Sequence, residues 1–174
     1  GSYPCPENGV SNPHGGLKPV EFIKWLGYPE IVLRCDQEAS TKAIVEFAQQ
    51  NFRGHIVPEF SPKGESKSNG VIERCNQEVQ GIARTLKDYL EAKCECEFGT
   101  KEPILAWMVE YAGSLLTLFS KGEPKDGKTP FERLKGRPWR IELPSFGECV
   151  HYKLRTPHKF MRRFETGIFI GLKL

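Results

Sequence analysis

The amino-acid sequence predicts an α/β fold, a mixed sheet with flanking helices followed by a small, basic, β-rich segment. A short apolar run over residues 31–35, bounded by Pro and Asp, predicts a strand. Apolar side chains then recur at helical spacing over 43–52 and again over 71–90. Two further patterns typical of strands lie in the C-terminal part of the sequence, over 146–152 and 167–171.

Length and composition indicate one globular domain, or one domain with a small appendage. The chain has 174 residues, of which 39% are hydrophobic and 27% charged, so disordered and fibrous classes are excluded. The formal net charge of +3 does not by itself indicate a nucleic-acid partner. We expect a core over residues 1–141 and a basic β-rich extension over 142–174.

The N-terminal part of the chain brings an acidic residue to the end of a strand. Residues 1–16 are rich in turn formers and predict a loop, and a short helix after Pro19 is expected to end at Gly27. Ile31–Cys35 then predicts a buried strand, with Asp36 directly after it. Ligands bind at the carboxyl ends of strands in open α/β sheets, so Asp36 is a candidate site residue.

A long amphipathic helix carries a second candidate acid. Residues 54–58 predict a strand near a sheet edge, because Pro58 lacks a backbone donor, and 61–70 predict a polar loop. The helix that follows carries one apolar face, formed by Val71, Cys75, Val79, Ile82, Leu86 and Leu90. Its opposite, polar face carries Glu73, Asn76, Gln77, Gln80, Arg84 and Lys87.

Membrane and disulfide classes are not indicated. The most apolar stretch, Pro103–Phe119, contains Glu110 and is short for a bilayer span, which predicts a core helix. A small helix is expected to open at Thr129 and Pro130. The six cysteines have no C-x-x-C spacing, which favours free thiols in an intracellular protein.

Basic charge is concentrated toward the C-terminus. Residues 121–141 contain seven Lys and Arg against three acids, and 149–174 contain six against one. The second of these sections is strand-forming and interleaved with Tyr152 and Phe160, which favours contact with DNA or RNA. The alternative is a solubilising face.

Asp36 and Glu73 suggest a site for a divalent cation. Mg²⁺ and Mn²⁺ prefer carboxylate oxygens, with water and substrate phosphate as further ligands. A pair of such ions assists in-line phosphoryl transfer. The alternative is that both acids are solvated caps or helix-dipole partners, and the residue pattern alone leaves both readings open.

The segments around these acids resemble the catalytic core of retroviral and retrotransposon integrases, most closely that of copia-like elements. The matching strings are LRCDQEAS around Asp36 and SPKGESKSNGVIERCNQEVQGIARTLKDYL around Glu73, with 36 residues between the two acids. Downstream, AWMVEYAGSLLTLF, GKTPFERLKGRPWR, LPSFGECVHY and ETGIFIGLKL follow the order seen in such polyproteins. The resemblance extends from about Pro19 to the end, and SNGVIER is its most specific part.

The resemblance implies an RNase H-like fold and a triad of Asp, Asp and Glu that binds Mg²⁺ or Mn²⁺. It implies that Asp36 and Glu73 are the second and third triad members, catalytic and metal-binding. The implied activity is processing and joining of DNA 3′ ends in the nucleus, with element ends and target DNA as partners. The residues expected near DNA, by matched position or as exposed cations that suit phosphate, are Lys67, Asn69, Arg74, Asn76, Arg84 and Lys87.

The first triad Asp has no counterpart in the sequence. No Asp precedes Asp36, and the three acids there, Glu7, Glu21 and Glu30, lack the residue type and the apolar strand context. After Asp36, Gln-Glu replaces the Asn-Gly of many relatives. We therefore expect the C-terminal portion of an integrase core without its first strands, inactive in isolation. Its exposed sheet edge predicts self-association or partial disorder.

Two alternatives to an integrase fragment stay open. One is a non-catalytic nucleic-acid-binding module derived from such an element. The other is an RNase H-type nuclease, against which the SNGVIER context argues.

Overall fold

The computed structural model describes residues 2–4, 9–62, 70–122, 126–155 and 158–172. It is a mixed α/β structure, which confirms the predicted class. The helices are α1 (Pro13–Leu26), α2 (Ala39–Asn51), α3 (Gly70–Cys94), α4 (Pro103–Phe119) and α5 (Pro130–Lys135). The strands are β1 (Glu30–Cys35), β2 (His55–Phe60), β3 (Glu148–Lys153) and β4 (Phe164–Phe169).

The chain divides into two compact units. One consists mainly of Tyr3–Glu78 and the other mainly of Val79–Lys173. The predicted boundary between residues 141 and 142 falls inside the second unit and stays a prediction.

Helix α1 begins earlier than predicted, so the expected loop over residues 1–16 is wrong at its end. Asn12 caps the helix, because its side-chain oxygen accepts a hydrogen bond from the backbone N–H of His14 at 2.9 Å. Pro13 suits the first helical position, where no N–H is needed. The helix ends as predicted, with Gly27 in the left-handed conformation at φ 79°.

Helices α1 and α2 pack together on one face of a two-stranded parallel sheet. Strand β1 pairs with β2, with Ile31 opposite Ile56. The buried side chains of this cluster come from both helices and from β2, namely Val20, Ile23, Ala48 and Ile56, and Ile31, Leu33, Phe47 and Phe52 pack against them.

Strand β1 is covered on one face only, so the prediction of a buried strand is wrong. Its side chains alternate between exposed and half-buried, and Val32 is 63% exposed. Both helices pack against the odd-numbered side chains, and none of the described residues covers the even-numbered ones. A continuous apolar run does not reveal which face is open.

The long helix α3 forms as predicted, but its apolar face is only partly buried. Val79 and Leu90 are 5% and 6% exposed, whereas Val71 is 84% exposed. Every residue from 70 to 78 is exposed. Helical spacing shows which side chains share a face, and it does not show that another element covers that face.

The second unit is built around α4. Tyr111 stacks on Phe146 and meets the ring of Phe169 edge-on, with both centroid distances at 5.6 Å. Leu90 and Met108 complete the buried cluster. This confirms α4 as a core helix, and none of the described helices is long and apolar enough to cross a membrane.

The remaining elements of this unit follow the sequence closely. Thr129 caps α5 by accepting a hydrogen bond from Glu132 N at 3.1 Å, and Gly136 ends the helix with a positive φ. Strands β3 and β4 form an antiparallel pair, with Glu148 opposite Phe169. The five described cysteines, all but Cys5, are free thiols as expected.

Candidate functional site

Asp36 lies directly after β1, at the carboxyl edge of the parallel sheet. Its Oδ1 accepts a hydrogen bond from Glu38 N at 3.3 Å, which turns the chain into α2. The residue is half-buried, so its carboxylate remains accessible to a ligand. This is the position that the sequence predicts for it.

The next residue ties the ends of the two strands together. Gln37 Nε2 donates to the carbonyl oxygen of Ser61 at 3.0 Å, and Ser61 N donates to Cys35 O at 2.9 Å. Ser61 is only 8% exposed. The backbone on both sides of Asp36 is therefore anchored to the chain that leaves β2.

Lys42 is a basic residue of this edge that sequence reasoning did not single out. The pKa of the Cys35 thiol is raised, first by burial and then by the negative charge of Asp36, while the positive charge of Lys42 opposes the rise. Lys42 Nζ also lies 5.5 Å from the centre of the Phe60 ring. Its position one turn into a helix that follows a strand end was the signal available in the sequence.

An open groove of about 440 Å³ lies between α2 and β2 beside this edge. Polar and apolar side chains both line it, so it offers one positive and one negative charge, amides and an aromatic surface. The lining residues are Gln37, Lys42, Val45, Glu46, Gln49, Pro58 and Phe60.

Glu73 lies in the first turn of α3 with an exposed side chain, in the same compact unit as Asp36. None of the hydrogen bonds or ion pairs among the described residues links Asp36 with Glu73. No group of three or more His, Cys, Asp and Glu side chains able to hold a metal occurs in the described ranges. Lys67 and Asn69 lie outside the described residues.

The side chains of α3 expected to contact phosphate differ in whether an acidic side chain already pairs with them. Arg74 Nε pairs with Glu78 Oε1 at 3.2 Å, although the Arg74 side chain is 80% exposed. Arg84 is exposed, and no described acid pairs with it. Asn76 is also exposed.

Lys87 is already engaged in a local network. Its Nζ donates to Glu91 Oε1 at 2.6 Å, and the same oxygen accepts a hydrogen bond from Phe98 N at 2.6 Å. The hydrogen bond to Glu91 raises the pKa of Lys87, and the same bond, followed by that from Phe98, lowers the pKa of Glu91. Lys87 therefore anchors the end of α3 and is less available to a ligand than Arg84.

The connection between β3 and β4 presents an aromatic ring among cations. The Phe160 side chain is fully exposed, at 102% of its reference area. Lys159, Arg162 and Arg163 flank it in the chain and are exposed as well. A flat apolar ring bordered by positive charge suits a stacked base beside a phosphate.

No protein-family model matches the chain, and none of the curated proteins compared with it is similar to it.

Proposed function

We propose that this chain is the C-terminal part of an integrase-type polynucleotidyl transferase core with an RNase H-like fold. Asp36 and Glu73 are then two of its three catalytic carboxylates, and DNA is its substrate. The carrying observation is the position of Asp36, at the carboxyl edge of a parallel sheet and beside a groove lined by Lys42. That edge is where α/β sheets bind ligands.

The donors present suit Mg²⁺ or Mn²⁺ in kind. Asp36 and Glu73 both offer carboxylate oxygens on accessible side chains, and hard cations prefer such ligands. When bound, the metal supplies charge stabilisation to the attacking and leaving oxygens of a phosphodiester. Two carboxylates are fewer than the triad of the integrase pattern, so this chain alone is expected to bind the metal weakly.

The side chains of the chain itself serve to bind and orient. Lys42 lies at the same edge as Asp36 and places a positive charge beside an incoming phosphate. The Gln37 hydrogen bond to Ser61 holds the backbone beside Asp36 in place. Arg84, which no described acid pairs with, offers a guanidinium on the polar face of α3 that positions a DNA backbone without reading bases.

Binding of a labelled DNA duplex end, with and without Mg²⁺, tests this proposal. We expect part of the affinity to require the metal and to be lost in Asp36→Asn and in Glu73→Gln, while the isolated chain joins no DNA ends. Glu102→Gln, which removes an exposed carboxylate that belongs to the other compact unit, is the control. Metal-independent binding that neither variant changes would contradict the proposal, as would robust strand transfer by the chain alone.

A second candidate is a non-catalytic nucleic-acid-binding module. The exposed Phe160 with its flanking cations favours it. A module of this kind is expected to bind single-stranded DNA or RNA with an affinity that depends on salt concentration. Phe160→Ala should lower that affinity, and metal chelators should not change it. The carboxylate variants then bind as tightly as the unchanged chain.

A further inference from the structure

The two outer edges of the β1–β2 sheet differ in how they are protected. His55 N donates to Pro29 O at 2.8 Å and Ser61 N to Cys35 O at 2.9 Å. These bonds show that the odd-numbered backbone groups of both strands point toward each other. The even-numbered groups therefore point to the outer edges.

The outer edge of β2 is closed to further pairing. Pro58 lies at an even position and has no N–H to offer. The outward carbonyl of Ile56 already accepts a hydrogen bond from Gln49 Nε2 at 3.1 Å. The missing N–H of proline and the occupied carbonyl both hinder a further strand from pairing with this edge.

The outer edge of β1 carries no such protection. Its outward residues are Glu30, Val32 and Arg34, none of them proline, and none of the described strands pairs with them. Their side chains also lie on the sheet face that α1 and α2 leave open, where Val32 is 63% and Val57 38% exposed. Within the described chain, the result is an uncovered six-residue edge next to an open apolar strip.

The charge pattern of this edge is complementary to itself. If two copies of β1 pair antiparallel about Val32, Glu30 of each copy lies opposite Arg34 of the other. All three outward residues then exchange backbone hydrogen bonds with the opposite copy, because each even position meets an even position. The next register that keeps even positions opposite even positions is centred on Leu33. It would place Arg34 of one copy opposite Val32 of the other, so the pairing of Glu30 with Arg34 would be lost.

The rows across the resulting sheet also match in character. Val57 lies beside Val32 and Glu59 beside Arg34 in the parallel pair, where Arg34 Nη2 contacts Glu59 Oε1 at 2.7 Å. Pairing about Val32 extends the first row to four valines. It extends the second to Glu59, Arg34 and then Glu30 of the second copy, an alternation of charge that stabilises cross-strand neighbours.

We propose that two copies of this chain associate through β1, antiparallel and centred on Val32, into a four-stranded sheet. The contact is isologous, so it closes on itself as a dimer and does not propagate. The contact uses neither Asp36 nor Glu73, so its experiment and that of the proposed function can fail separately.

Sedimentation equilibrium over a range of protein concentrations tests the proposal with two single charge reversals. Glu30→Arg opposes two arginines at both ends of the contact, and Arg34→Glu opposes two glutamates. We expect each variant alone to raise the dimer dissociation constant by about tenfold or more. Arg53→Glu, an exposed charge reversal just before β2, is the control and is expected to leave it unchanged.

The decisive sample is an equimolar mixture of the two variants. In the mixed dimer the arginine introduced at position 30 faces the glutamate introduced at position 34, and the unchanged Arg34 faces the unchanged Glu30. We therefore expect association to return to within about threefold of the unchanged chain. A general loss of stability would not be restored by mixing. Far-UV circular dichroism confirms that each variant is folded.

Val32→Pro gives a test that does not depend on the Arg34–Glu59 pair. It removes an outward N–H and leaves the ladder to β2 intact, so we expect loss of the dimer with retained secondary structure. A chain that stays monomeric at all concentrations would overturn the proposal. So would a dimer that the variants leave unchanged, or a mixture that associates no better than either variant.

Discussion

Gln37 Nε2 donates a hydrogen bond to the backbone carbonyl of Ser61 at 3.0 Å, so the residue next to Asp36 is tied to the chain leaving β2. The bond closes the carboxyl edge of the sheet, because Ser61 N is in turn bonded to Cys35 O. The two strand ends that border the proposed DNA site are thereby held as one piece. Its loss is expected to loosen the position of Asp36 directly.

Gln37→Ala is predicted to destabilise this edge. The variant loses one hydrogen bond to a buried carbonyl, which costs about 1 kcal/mol. Urea unfolding measures the loss, and faster hydrogen exchange at the Ser61 amide localises it. Gln50→Ala, on the exposed side of α2, is the control and is expected to change neither. An unchanged Ser61 amide in Gln37→Ala would show that the bond does not hold the strand ends together.

The same Gly-to-Ala change is predicted to have opposite effects in α1 and α3. A Cβ at Gly16 would come within 2.8 Å of the Phe47 ring, and such overpacking costs about 1–3 kcal/mol. At Gly81 nothing lies within 4 Å, so Gly81→Ala is expected to stabilise the helix by about 0.5–1 kcal/mol. Thermal unfolding shows whether each variant is more or less stable than the unchanged chain. Equal stabilisation by both would mean that α1 does not approach Phe47 closely.

Acid is predicted to loosen the end of α3 through Glu91. Hydrogen bonds from Lys87 and Phe98 hold the pKa of this carboxyl below its ordinary value. A carboxyl whose pKa is lowered by folding stabilises the native state above its unfolded pKa, about 4.3. That contribution is lost as the pH falls below this value toward the lowered pKa.

The pH dependence of unfolding in Glu91→Gln measures this contribution. We expect the variant to be less stable at neutral pH and to lose less stability than the unchanged chain on acidification. Glu78→Gln, which breaks the exposed pair with Arg74 but no backbone bond, is the control with a smaller expected change. Identical acid profiles for the unchanged chain and Glu91→Gln would contradict the assignment.

Among the three cations of α3 expected near DNA, Arg84 is predicted to matter most. Arg74 and Lys87 are paired with Glu78 and Glu91, whereas no described acid holds Arg84. Arg84→Ala is expected to weaken duplex binding. It is also expected to reduce the slope of log affinity against log salt concentration by about one, because one fewer counterion is released. The salt dependence of fluorescence anisotropy measures both, with Lys87→Ala as the comparison. A larger loss in Lys87→Ala would mean that the Glu91 network opens when DNA binds.

The sequence predicted the elements well because their signals are local. The stripe over residues 43–52, the cap at Thr129 and the left-handed Gly27 each depend on a few neighbouring side chains. The start of α1 was missed because Pro13, Gly15 and Gly16 resemble a loop. The role of Gly16 comes from close packing against Phe47, a residue distant in the chain.

Burial and site geometry were less accessible to sequence reasoning. The apolar run of β1 was expected to be buried, and Val32 is exposed. The apolar face of α3 was predicted, but not that its first turns leave Val71 exposed. Burial of either surface depends on elements distant in the chain. Asp36 was predicted from its place after a strand. Gln37 and Lys42 were not, since their roles depend on Ser61 and Phe60, which only the fold brings near.

The central claim is that Asp36 and Glu73 serve one metal site, and Mn²⁺-induced broadening of assigned amide resonances tests it most directly. Broadening detects weak binding to the chain without requiring any DNA joining. We predict that substoichiometric Mn²⁺ broadens the signals around Asp36 and around Glu73 together. Asp36→Asn or Glu73→Gln alone is expected to abolish both sets. Broadening confined to one set, or a set at Glu73 that persists in Asp36→Asn, would contradict the claim.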